Sequence, residues 1–236
     1  MNPRIVLSLL LISPLAMACG EKQPDTSQAY VEECGACHVP YPPALLAGGF
    51  TIAWLTAESE RLQLVHIAAG SIVFAVALFR ILWGIIGSRH ARFGQFVQGN
   101  RAAWDYLKRL FSMRLSHTTG HNPAGGLAIL ALLTLALLAP FSGWLTYQQI
   151  MTYQQIMDGL FSKLHEGLAS IMLFVIVIHL AGVFIGSLLH GENLVSAMIS
   201  GWKQGAADEG ITRWHYPAAA VLVLWVVSVV IWTLQS

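Results

Sequence analysis

Four stretches of this chain are apolar for longer than a water-soluble fold can use, and they decide what it can become. "LQLVHIAAGSIVFAVALFRILWGIIG", residues 62–87, carries one charge, Arg80. No charge occurs from Pro123 to Met157, and 124–147 is the predicted span. Residues 167–189 are interrupted only by His179, and 217–234 form the fourth stretch. A membrane core ~30 Å thick takes roughly 20 apolar residues at ~1.5 Å each. In lipid each backbone N–H and C=O must be satisfied within its own segment, so such stretches become helices. The charge count agrees. Only 11% of residues are charged against 56% hydrophobic, too few to coat a soluble domain. A net charge of +1 gives no footing for nucleic-acid binding. The expected fold is an all-α transmembrane helix bundle in contact with membrane lipid, with four good spans.

A fifth apolar piece, residues 44–56, reaches only ~20 Å as a helix and is too short to cross. It reads as a partial first helix whose beginning is missing, lying in the interface or folding back.

Basic residues orient the bundle. Arg89, Arg92, Arg101, Lys108, Arg109 and Arg114 stand against Asp105 between the first two spans, and Lys203 and Arg213 lie between the last two. These loops are assigned to the cytoplasm, and the loops bearing Arg61 and Lys163 to the outside. Trp104, Leu107 and Phe111 recur at helical spacing and predict an amphipathic helix on the inner surface. "TYQQIM" occurs twice in tandem, at 146–151 and 152–157, and reads as an insertion in an outer loop.

The first eighteen residues have a positive start at Arg4, an apolar run and a small-x-small Ala16-Met17-Ala18. They read as a signal peptide, either cleaved or retained, with Cys19 open to acylation. Residues 19–43 are then expected outside.

Histidines carry the chemistry. His66 sits near the outer end of the first span, His165 at the outer end of the third, and His179 deep inside it. Ionisable groups at such depth are costly and mark function more often than packing. Fourteen residues separate His165 from His179, ~21 Å along a helix and within ~40° of whole turns. Two imidazoles on one face at two depths suit two haems stacked across a bilayer, with His66 the partner of His165. The alternative is a set of interhelical hydrogen bonds.

The segments "HIAAGSIVFAVALFRILWGIIGSRHARF", "GHNPAGGLAILALL" and "HEGLASIMLFVIVIHLAGVFIGSLLHGENLVSAMISGWK" resemble the bacterial cytochrome b561 family, which includes the cytochrome b subunit of Ni/Fe-hydrogenases. The resemblance covers roughly residues 45–235. It implies a bacterial inner-membrane, multi-pass b-type electron carrier that exchanges electrons with quinone and with a periplasmic cytochrome c or other redox protein. It implies that His66 and His165 hold one haem b and His179 belongs to a second. The partner of His179 would come from the first helix, and "LLAGGFTIAWLTAES" contains no histidine, so the second haem b is in doubt. Arg80, fourteen residues beyond His66, either pairs a propionate at that depth or reaches the interface.

"VEECGACHVPYPP" adds a second chemistry. Cys34, Cys37 and His38 form a Cys-x-x-Cys-His site for covalent haem c, with His38 as the proximal ligand. The segment resembles the start of the dihaem cytochrome c family, so residues 19–43 read as a short periplasmic haem-c-like fragment fused ahead of the membrane domain. No residue set suggests acid–base or nucleophilic catalysis. The expectation is a non-catalytic electron-transfer protein. The alternatives are a quinone-coupled oxidoreductase acting on a small substrate, or a truncated membrane protein without haem.

Overall fold

The computed structural model describes residues 30–31, 42–87, 92–97, 99–111, 123–147, 154–190, 203–204 and 216–235. Apart from one two-residue strand pair these are helical. In chain order the helices are α1 (Pro42–Thr56), α2 (Gln63–Ile86, entered by a 3₁₀ turn Glu60–Leu62), α3 (Phe93–Phe96), α4 (Gly99–Phe111), α5 (Pro123–Tyr147), α6 (Gln154–His190) and α7 (Tyr216–Gln235). Four segments are long and apolar enough to cross a membrane: Glu60–Ile86, Pro123–Tyr147, Gly159–Leu188 and Pro217–Gln235. The predicted spans are therefore found, and the first and third begin earlier than hydropathy places them.

Helix α2 is the hub. Half of its apolar window is buried inside the protein, against 6% for α6. One of its faces, with Ala75, Val76 and Phe79, packs on Leu222, Val226 and Val230 of α7. The indole N–H of Trp225 on α7 donates to the Ala75 carbonyl at 3.1 Å and pins the two helices. Another face, with Val73 and Ala77, meets Leu133 and Ala136 of α5 and Met172 of α6. Small residues let these backbones approach where lipid supplies no hydrophobic drive between helices. The outer surface of α6 shows Phe174, Val177, Ile178, Phe184 and Leu188, which suits lipid.

Short α1 is below spanning length and packs lengthwise on α2. It turns at 57–62 and runs back antiparallel along α2, with Leu46 packed against both core clusters. Gly49 makes the closest approach: a Cβ there would lie 2.9 Å from Val73 Cγ2 and 3.3 Å from the Ala69 carbonyl.

At the other end of α2 the Phe93 ring fills the notch left by Gly84. Arg92 Nε donates to the Gly87 carbonyl at 2.9 Å, which fixes the turn. Helix α4 follows, with Ala103 buried and Trp104 exposed beneath Lys108, whose ammonium lies 5.7 Å from the indole centre. This is the predicted amphipathic helix, and it packs against α5.

The strand pair bears on one expectation. Tyr30–Val31 (β1) pairs antiparallel with Lys203–Gln204 (β2), in the loop between α6 and α7. Sequence reasoning assigned these segments to opposite sides of the membrane. Backbone hydrogen bonds between them require one side, and the positive-inside rule applied to Lys203 and Arg213 favours the inner one. The signal segment 1–18 and the residues Cys34, Cys37 and His38 lie outside the described residues.

Candidate functional site

The carboxyl ends of α1 and α5 and the amino-terminal parts of α2 and α6 meet around two imidazoles. His66 lies in the first turn of α2, and its Nδ1 is 2.8 Å from the Ala53 carbonyl near the end of α1. His165 lies eleven residues into α6, not at its start, and its Nδ1 is 2.7 Å from the Ala139 carbonyl of α5. A carbonyl only accepts, so both Nδ1 atoms carry the proton. Each ring therefore keeps its Nε2 lone pair free, the arrangement a metal-ligating histidine adopts when its other nitrogen is fixed by the protein.

The separation is equally informative. The ring centres are 5.9 Å apart and the planes cross at 85°. Imidazole nitrogen binds a first-row metal at about 2 Å, with the ring centre roughly 1 Å further back. Two imidazoles on opposite sides of one iron thus have centres about 6 Å apart. The pair fits a bis-histidine haem.

Backbone features that sequence reasoning missed hold this geometry. A Cβ on Gly143 would lie 2.9 Å from Cε1 and Nδ1 of His165, so only glycine lets the ring sit against α5. Pro140, inside α5, has no N–H and loosens the turn that presents Ala139. Ser142 Oγ donates to the same Ala139 carbonyl at 2.8 Å. Nothing in a sequence marks a carbonyl as a second partner. Gly143 was findable only with the α5–α6 pairing in hand.

The remaining predicted residues separate into two groups. His179 is half-buried on α6, and no hydrogen bond to it occurs among the described residues. No histidine of α1 reaches its depth, since α1 contains none. Arg80 does not extend to the surface: it is 7% exposed, with its guanidinium 5.5 Å from the centre of the Phe93 ring. Packing over an aromatic face offsets part of the cost of burying the charge.

The comparisons with known proteins agree with this geometry. A family profile described as "Prokaryotic cytochrome b561" matches residues 6–201. The chain belongs to the prokaryotic cytochrome b561 family. A cytochrome b561 binds b-type haem within a bundle of membrane helices, and this chain is accordingly a multi-pass membrane protein. The match begins ahead of residue 44, and so runs through the segment that resembled a cytochrome c fragment. The chain is 27% identical over 167 residues to a "Probable Ni/Fe-hydrogenase B-type cytochrome subunit" of Rhodobacter capsulatus, covering 60% of this chain and 62% of that protein. It is 26% identical over 171 residues to a protein of the same description from Azotobacter vinelandii, covering 62% and 70%. The chain thus spans less than two thirds of the Rhodobacter protein. No solved structure matches it.

Proposed function

We propose that this cytochrome b561 is a membrane electron carrier, with His66 and His165 as the two axial ligands of a single b-type haem near the outer surface. The observation that carries the proposal is the imidazole pair, 5.9 Å apart with both Nδ1–H groups committed to carbonyls. When bound, haem b takes up and releases one electron at its iron. The protein's share is to present two neutral Nε2 donors, hold their orientation and keep the site among helices. Two strong-field imidazoles favour six-coordinate iron and leave no open position for a substrate, which supports a relay over a stand-alone enzyme.

The electrons would pass between the quinone pool in the membrane and a periplasmic redox protein, such as a cytochrome c, docking at the outer loops. The outer placement follows from the basic inner loops. Two relatives described as hydrogenase cytochrome subunits support a redox partner of that kind. His179 and Arg80 would mark a second, inner position that lacks its first-helix histidine, so one haem b per chain is expected. Covalent haem c at Cys34, Cys37 and His38 rests on the motif alone and forms no part of this reading.

The test is spectroscopic. His66→Ala and His165→Ala should each remove the same low-spin b signal from the purified protein. Two different losses, or a low-spin signal that survives both, would refute the shared iron.

A further inference from the structure

Helix α1 poses a puzzle that the proposed function leaves open. At fifteen residues it is too short to cross a membrane and supplies no ligand, yet it is packed closely on the hub helix. Its last turn answers the question. The final four carbonyls of a helix have no intrahelical partner and form the negative end of its dipole. In α1 the next backbone donors are used elsewhere: Ala57 N–H donates to Trp54, and Ser59 N–H to Thr56. Among the described residues the Ala53 carbonyl receives the Thr56 hydroxyl, at 3.2 Å and shared with Ile52 at 2.7 Å, and the His66 imidazole at 2.8 Å.

We infer that the carboxyl end of α1 is a positioning element for the outer haem, holding His66 through the Ala53 carbonyl. The inference rests on His66 being an axial ligand. An acceptor on Nδ1–H fixes the tautomer and the ring plane and raises the basicity of Nε2. Because it is a helix terminus rather than a single carbonyl, it also sets negative partial charge behind the ligand, which favours ferric over ferrous iron. His165 has an acceptor of another kind, a mid-helix carbonyl shared with Ser142. The two ligands of one iron are thus held unequally, and the α1 side depends on a helix-to-helix distance.

Gly49 sets that distance, since any Cβ there drives α1 off Val73 and the Ala69 carbonyl. Gly48, its neighbour, faces open space. The two glycines therefore form a matched pair for experiment. In the full-length protein, Gly49→Val should weaken haem retention about tenfold or more, the usual cost of losing such an outer partner. It should also raise the midpoint potential and alter the ferric low-spin resonance, whereas Gly48→Ala should match wild type in all three.

If Gly49→Val does not insert, Gly49→Ala replaces it. Adding Val73→Ala should then restore haem retention, by removing the methyl group that the new Cβ meets. Equal potentials and retention in the Gly49 and Gly48 variants, with the wild-type low-spin signal present, would overturn the role of α1 alone. Absence of a bis-histidine signal in wild type would overturn the ligand assignment itself.

Discussion

A methyl group is enough to disturb His165. Its ring lies where a Cβ on Gly143 would come within 2.9 Å of two ring atoms, and α5 is held from the other side by Ala136 and Leu133 in the core. Gly143→Ala must therefore move the ring rather than the helix, and overpacking of this kind costs roughly 1–3 kcal/mol. Taken up at the haem site, that corresponds to a loss in haem affinity of about five- to 140-fold, because each 1.4 kcal/mol is a factor of ten. Gly70 is the control: a Cβ there would meet only Pro140 Cβ, at an ordinary 4.0 Å. Haem titration into the apoprotein should separate the two, with Gly70→Ala close to wild type. A Gly143→Ala protein with unchanged affinity would show that the ring does not need this position. At this scale the sequence singled out the candidate side chains, His66, His165, His179 and Arg80. It could not show what orients them, because the acceptors are the backbones of Ala53 and Ala139.

Hydropathy marked where helices enter and leave an apolar layer, which is not where they begin and end. Hydropathy placed the third span at 167–189, with His165 at its outer end, yet α6 starts at Gln154, in the second copy of the duplicated hexapeptide. Charged residues end the membrane-embedded part of a helix without ending the helix. Its 37 residues extend ~55 Å, so the first turns project beyond the core. The length of α1 was legible for the same reason, while its place was not, because that is fixed by the Gly49 contact and not by polarity. Helix α4 was the easier case, since an amphipathic stripe with Arg101, Lys108 and Arg109 has one natural home. Within it, burial pushes the Tyr106 phenol above its ordinary value. The docked helix then keeps its proton where the undocked helix loses it, so docking is unaffected below about pH 10 and weakens as pH rises past it. Fluorescence of Trp104, which is exposed on the same helix, should report that change, and Tyr106→Phe should abolish it. A pH profile identical in both proteins would place the cause elsewhere.

The arrangement of the whole chain bears on the motif at its start. Val31 is three residues from Cys34, and its strand pairs with Lys203–Gln204, between α6 and α7. Thioether attachment belongs to the outer compartment, so this pairing predicts that Cys34 and Cys37 stay free of haem. Intact-protein mass spectrometry should show two alkylatable thiols or a disulfide, and a haem-sized increment lost in Cys34→Ser would reverse that expectation. The hub position of α2 has a different consequence, in time rather than in space. Once residues up to 86 have emerged, α1 and α2 can pair, and the His66 imidazole already has its acceptor. The other imidazole, His165, follows His66 by about a hundred residues, in a helix that packs mainly on α5. Synthesis therefore delivers a finished half-site first and its closing half much later. On the proposed ligation, the nascent chain would hold iron from one side alone until α6 has entered the membrane.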